Sequence, residues 1–332
     1  MLRPLTIAGG GLAGLSLAIA LRERDVPVTL HEAGAYPRHR VCGEFLSGVQ
    51  TSTLQTLGID MTLTGAVPLA SARWHDPRGM VCDMKVGGLG LSRHLLDDRL
   101  RQRLVSLGGR LVTNSRIVPG EGTIWAAGRP RRPSPWIGLK CHATDLPLTH
   151  DLEMFWGTNG YLGLARIEGD KVNVCGLFKN TPLPGIKGPR LLVEMTRLGG
   201  LHRLAERLES ASLVEDSFCG VAGFETGRQP SGGFSIGDAT HLIPPLTGNG
   251  MSMAFESAEC ALPRALDYAR GLSTWSAAAS ACANDLERRF AVRMTAAGVI
   301  QRILTSPRLS RLVASLARSG LLPIPALLPL LR

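Results

Sequence analysis

Leu5-Thr6-Ile7-Ala8-Gly9-Gly10-Gly11-Leu12-Ala13-Gly14, close to the start of the chain, decides how the rest is read. Leu5 to Ala8 is an apolar run of the length of one buried strand, and Leu12 to Arg24 carries the spacing of a helix. Val28 to His31 reads as a second strand, with Pro27 just before it, where a missing N–H is tolerated. Together they predict a βαβ unit. The glycines between strand and helix stand at G-x-G-x-x-G spacing, and each has a physical task. Gly9 permits a tight turn, Gly11 lets the backbone approach a pyrophosphate beside the first helical residues Leu12 and Ala13, and Gly14 lets helix and strand pack closely. Glu32, followed by Ala33, ends the second strand at the position from which an acid accepts hydrogen bonds from ribose hydroxyls. A Rossmann-like nucleotide-binding layer follows, with FAD and NAD both open.

The far end of the chain separates the two. Phe234-Ser235-Ile236-Gly237-Asp238-Ala239-Thr240-His241 reads as a strand running into a turn, and Pro244-Pro245-Leu246-Thr247-Gly248-Asn249-Gly250-Met251 leads into a helix-like Ala254 to Arg270. This pattern resembles the second FAD motif of glutathione-reductase-type flavoproteins, in the branch of aromatic-hydroxylase monooxygenases and geranylgeranyl reductases. The resemblance implies FAD as cofactor, with Gly237 and Asp238 at the ribityl chain and Pro245, Gly248, Asn249, Gly250 and Met251 toward the pyrimidine edge of the isoalloxazine. A helix N-terminus there would stabilise the negative charge of a reduced flavin. Arg38-His39-Arg40-Val41-Cys42-Gly43-Glu44 resembles the R/K-x-C-G segment of the reductase branch, which implies Arg40 near the phosphate and ribose. Leu91 to Asp97 resembles the family's S-R-x-x-L-D helix start, which implies Arg93 on the cofactor side. Ser92 reads as the N-cap of a helix from Arg93 to Leu107. One segment departs from the pattern. Where the family carries an Asp-Gly pair that serves FAD and the transient nicotinamide, Ile124 to Pro130 has Ala127-Gly128. NAD(P)H as electron donor is therefore expected from the family alone.

Between these motifs, Leu152 to Trp156, Tyr161 to Ile167 and Lys171 to Phe178 read as strands, the last two joined as a hairpin at Glu168-Gly169-Asp170. With Ala72 to Trp74 and Val81 to Val86 they predict an antiparallel substrate sheet over the flavin. The expected architecture is α/β: a discontinuous Rossmann-like FAD-binding domain (1–70, 90–140 and 220–270), an antiparallel β-sheet substrate domain (71–89 and 141–219) and C-terminal helices (271–332).

Composition narrows the alternatives. The 332 residues are 44% hydrophobic and 19% charged, too apolar for disorder. The formal charge is +10, and only five of the 37 basic residues are lysines. The arginines are scattered and do not interleave with aromatics, so no nucleic-acid platform is read, and an anionic cofactor, substrate or lipid surface uses the charge instead. Seven cysteines without a C-x-x-C pair indicate neither a zinc site nor a disulfide framework; no metal is expected, and a reducing, cytoplasmic setting fits. The apolar stretch after Arg3 imitates a signal peptide, but Gly9, Gly10, Gly11 and Gly14 interrupt it. Gly320 to Leu331 is uncharged yet broken by Pro323, Pro325 and Pro329, too short to span a bilayer and a candidate only for peripheral membrane contact.

Flavin chemistry asks little of side chains, so few catalytic candidates stand out. Cys42 could face the flavin and Glu44 could donate a proton. Trp156, Tyr161, Leu162 and Leu164 are the expected wall of an apolar substrate pocket, the strand being hydrophobic on both faces. The favoured function is an FAD-dependent monooxygenase that hydroxylates an apolar or aromatic, polyketide-like substrate through a flavin hydroperoxide. The alternative is a geranylgeranyl-reductase-type enzyme that saturates carbon–carbon double bonds. A flavin halogenase lacks its W-x-W-x-I-P signature here.

Overall fold

The computed structural model describes residues 1–129, 133–223, 226–229 and 232–322. The sequence reading of Pro130 and of the prolines at 323, 325 and 329 lies outside them.

Two sheets organise the molecule. The first is parallel, with β1 (Leu5–Ala8), β2 (Val28–His31), β6 (Arg110–Val112) and β7 (Thr123–Trp125) in the order β6-β2-β1-β7. Phe234 to Ile236 lies beside β7 rather than forming a full strand: Trp125 N–H donates to the Phe234 carbonyl at 2.7 Å and Ile236 N–H returns to Trp125 at 2.9 Å. Helix α1 (Leu12–Arg22) connects β1 to β2, buried along nearly its whole length among Leu15, Leu17, Ile19 and Leu21. It stops before the expected Arg24, because Asp25 takes a left-handed φ of 61° that turns the chain into β2. This is the Rossmann-like layer, and α3 (Arg93–Ser106) and α6 (Gly250–Ala269) share its core with α1. Ser92 caps α3, its hydroxyl accepting from Leu95 N–H at 3.1 Å.

The second sheet has eight strands: β3 (Phe45–Leu46), β4 (Val67–Asp76), β5 (Gly79–Gly90), β8 (Trp136–Thr144), β9 (Leu152–Trp156), β10 (Gly160–Ile167), β11 (Lys171–Lys179) and β12 (Ser212–Ala222). Their order is β12-β8-β11-β10-β9-β4-β5-β3. The antiparallel sheet expected from sequence is in fact mixed, since β4 and β9 pair in parallel. The reason is topological: after residues 145–151 β9 enters beside β4, not beside β8, and runs in the same direction as β4, a choice no local pattern records. The sheet also recruits more chain than segments 71–89 and 141–219, reaching back to Phe45 and forward to Ala222.

One face of this sheet packs on α4 (Pro189–Leu198) and α5 (His202–Ser210), burying Leu139, Cys141, Leu162, Leu164, Val174 and Phe178 against Leu192, Met195, Leu204 and Leu208. The other face turns toward the Rossmann-like layer. Helix α7 (Trp275–Thr305) packs along α6 and α8 (Pro307–Arg318) against β5, where Ala314 and Ala317 meet Trp74 and Val81. Among the described residues no helix is long and apolar enough to cross a membrane.

Candidate active site

The glycine loop after β1 explains its own composition. Gly9 has φ +110°, and a Cβ there would stand 2.3 Å from the Ala126 carbonyl oxygen; a Cβ on Gly14 would stand 2.0 Å from the Gly9 carbonyl oxygen. Both are therefore closed to any side chain. Gly11 differs, since a Cβ there would meet only Arg93 Nη2, at 3.9 Å. Leu12 and Ala13 are buried behind the loop, and the α1 N-terminus has no side-chain cap.

Glu32 is almost fully buried and orders the loop: Oε2 accepts from Gly10 N–H at 2.7 Å, Oε1 from Gly34 N–H at 3.0 Å, and Arg38 and Arg40 stand 2.7 and 3.5 Å away. Sequence reasoning had it facing ribose hydroxyls alone; these partners are a second task. Ala33, next along, is exposed. Arg40 also donates to the Gly10 carbonyl and to Asp97, and Arg93 holds the same fully buried Asp97 through Nε at 2.7 Å. Burial works against the Arg93 guanidinium, but Asp97, Cys42 and Asp238 outweigh it and raise its pKa.

The second motif meets the first directly. A Cβ on Gly237, at φ +63°, would lie 3.0 Å from the Ala13 methyl, so Gly237-Asp238 rests on the first turn of α1. Asp238 keeps part of its surface in solvent, yet burial by the protein packed around its carboxyl raises its pKa, opposed by Arg93, Arg129 and Arg40. From Asp238 the chain runs through His241, which approaches Glu287 and has a structural role, to Pro245, Gly248 and Asn249, the N-cap of α6. Gly248, at φ +68°, would clash through a Cβ with Phe45 at 2.9 Å. Gly250 is exposed at the α6 N-terminus and Met251 is buried beneath it.

Beyond this loop lies a cavity of about 230 Å³ between Val41-Cys42-Gly43, Pro245 to Asn249 and the free face of the large sheet. Its floor comes from four strands: Gly138 on β8, Cys175, Gly176 and Leu177 on β11, Tyr161, Gly163 and Ala165 on β10, Met154 on β9. Leu162 and Leu164 are not part of it. They point to the opposite face, into the core beneath α4 and α5, because side chains alternate along a strand. Trp156 does not border the cavity either; it stacks on Tyr161 at 4.9 Å and donates through Nε1 to the Leu304 carbonyl at 2.9 Å. Tyr161 and Cys42 do line it, and burial pushes the Cys42 thiol up, so it stays protonated.

Glu44 does not reach the cavity. It is fully buried with φ 53° and lies at the centre of an ion cluster that the sequence reading missed. Its Oε2 accepts from His142 Nε2 at 2.7 Å; Oε1 faces Lys140 Nζ at 3.2 Å and accepts from Arg93 N–H at 2.9 Å. Burial would raise this carboxyl, but His142 and Lys140 win and lower it. Lys140, itself fully buried, also reaches His39 Nδ1 at 3.1 Å. His39 stacks on His94 at 4.4 Å, and burial, then Lys140 and His142, push its imidazole down to about 4. Glu44 thus pins the Cys42-Gly43 loop to β8 and α3 rather than donating a proton to a ligand. The signal for the cluster was Lys140 and His142 at i, i+2 in the otherwise apolar run Trp136 to Thr144. Among the described residues no group of His, Cys, Asp and Glu could hold a metal ion.

No family model and no curated protein matches the sequence. Solved structures do match its shape. A flavin-dependent brominase, Bmp2, aligns over 98% of this chain and 92% of its own with a TM-score of 0.74 and 18% identity. PqsL of P. aeruginosa, in complex with 2-aminobenzoylacetate, aligns over 96% and 98% with a TM-score of 0.70 and 14% identity. A variant of 2-methyl-3-hydroxypyridine-5-carboxylic acid oxygenase aligns over 96% of both chains with a TM-score of 0.68 and 18% identity. The chain has the fold of these flavin-dependent enzymes. At such identities the likeness extends to architecture and no further.

Proposed function

We propose that the protein is an FAD-dependent monooxygenase that hydroxylates an apolar or aromatic substrate. One observation carries the reading: Gly237-Asp238 rests on the first turn of α1, and the chain leading from it to the N-terminus of α6 borders a cavity lined, among the described residues, without a charged side chain. The residues fit the cofactor. The open backbone at Gly11 and the uncapped N-terminus of α1 suit a pyrophosphate, with Arg40 and Arg93 supplying positive charge. Glu32 would hold the ribose, Asp238 the ribityl hydroxyls, and the backbone from Pro245 to Met251 the pyrimidine edge. When bound, FAD supplies the electron transfer and oxygen activation that none of these side chains can.

The chain's own contribution is placement and exclusion of water. Phe45 against Gly248 holds the loop that faces the pyrimidine edge, the N-terminus of α6 favours negative charge there, and the apolar wall desolvates the substrate. Glu44, Lys140 and His142 fix the loop bearing Cys42. NAD(P)H is the expected reductant. The alternative, reduction of a carbon–carbon double bond, draws support from Cys42 on the cavity wall, where a protonated thiol could deliver a proton. The fold's membership in the glutathione-reductase-type group is part of the same proposal, as is a cytoplasmic site, which suits seven free cysteines. Peripheral contact with anionic lipid is supported by exposed Arg302 and Arg308 and by Leu309 and Leu312, exposed on α8.

The test is identification of the released cofactor, followed by NADPH and NADH oxidation with a panel of hydroxynaphthalenes under labelled dioxygen. Substrate-stimulated oxidation with label in the product is the expected result. Anaerobic saturation of an isoprenoid would favour the reductase, and a protein that cannot be reconstituted with FAD would overturn both.

A further inference from the structure

We propose that Tyr161 is the polar anchor of the cavity, a hydrogen-bond donor that holds an acceptor oxygen of a flat, uncharged ligand. The proposal rests on the reading of this cavity as the substrate site. Tyr161 lines it with 8% of its surface exposed; its hydroxyl has no hydrogen-bond partner among the described residues and almost no accessible surface with the cavity empty, so a ligand oxygen meets it once the phenol turns toward the cavity. A buried hydroxyl left unpaired is costly and uncommon, so a partner from the cavity answers a deficit already present.

The hydroxyls of Ser47 and Thr247 and the Cys42 sulfur on the wall are engaged. Ser47 Oγ donates to Asn249 Oδ1 at 3.4 Å, Thr247 Oγ1 to the Pro244 carbonyl at 2.9 Å, and Cys42 Sγ accepts from Glu44 N–H at 3.4 Å. Burial holds the Tyr161 phenol well above its ordinary pKa, so it remains a donor at neutral pH. Among the described residues no Lys, Arg, His, Asp or Glu borders the cavity, and Lys140, on the same sheet face, is paired with Glu44. A carboxylate would enter without a counter-charge, which burial penalises. Gly138, Gly163 and Ala165 keep the floor low across neighbouring strands, leaving a slab for a planar ring between them and the loop from Pro245 to Asn249.

The experiment uses FAD-loaded protein, its flavin content measured first, and calorimetric titration with three probes: 2-acetonaphthone, 2-ethylnaphthalene and 2-naphthoate. The ketone should bind about ten-fold more tightly than the hydrocarbon, and the carboxylate most weakly. Tyr161→Phe keeps the ring on Trp156; it should erase the preference for the ketone, leave the hydrocarbon unchanged, and melt at or above the wild-type temperature without ligand. A preference that survives in Tyr161→Phe, a carboxylate that binds best, or no binding of any probe overturns the assignment. Protein without FAD that still shows a Tyr161-dependent preference would overturn the flavoprotein reading and leave this one standing.

Discussion

The glycine loop and the cavity floor, which the proposed function assigns to cofactor and substrate, are built on opposite principles. In the loop the ligand-facing surface is backbone: Gly9 to Gly14 present amides and open approach, and side chains enter only as Glu32 and the arginines around it. On the floor the surface is a mosaic of apolar side chains and glycines from β8, β11, β10 and β9, which meet only through strand pairing. A backbone wall depends on a few positions that tolerate nothing, whereas a side-chain wall depends on the parity of every strand beneath it.

The largest effect should come from the loop. Gly9→Ala forces a Cβ onto the Ala126 carbonyl in a left-handed conformation, and on the order of 3 kcal/mol or more of stability should be lost, seen as failure to recover soluble protein. Gly11→Val should fold with a near wild-type melting curve yet fail to retain FAD. If both variants behaved alike, the distinction between closed and open glycines would break.

Parity on the floor is sharpened by Leu164→Asn. Because Leu164 is fully buried under α4 and α5, about 3 to 5 kcal/mol of stability should disappear in denaturant titration. A stable Leu164→Asn protein with altered ligand binding would return this residue to the cavity.

The smallest effect concerns the ion cluster that ties the Cys42-Gly43 loop to β8 and α3. Unfolded His39 takes up a proton near its ordinary 6.5, folded His39 only near about 4, so the unfolded state binds more protons between these values. Stability should therefore fall as pH drops from 6.5 toward 4, by roughly 1 to 2 kcal/mol after solvent screening. Glu44, with its lowered carboxyl, adds a loss in the same direction below 4.5. Melting temperature against pH should be flatter in His39→Gln; equal slopes would remove His39 from the account.

What could be read beforehand follows the same division. Both strands of the βαβ unit, the Ser92 cap and the strands from Leu152 and Lys171 are where local pattern puts them, because turn chemistry and spacing are local properties. The face chosen by Leu162 and Leu164 was not legible, since Tyr161 to Ala165 is apolar on both sides and the decision is made by α4 and α5 and by pairing with Met154 and Cys175. The parallel β4–β9 pair and the Glu44 cluster likewise depend on residues about 80 to 100 positions apart.

The contact of Gly237 with Ala13 has a consequence for biosynthesis. Ala13 leaves the ribosome more than two hundred residues ahead of Gly237, which is roughly 10 to 45 s of elongation. On the proposed reading of the site, the N-terminal half has during that interval the floor of a nucleotide cradle without its lid. A ligand gripped between the two can be captured only once the chain is nearly complete, so loading belongs to the last stage of maturation, and a truncated nascent chain would compete poorly for the cofactor.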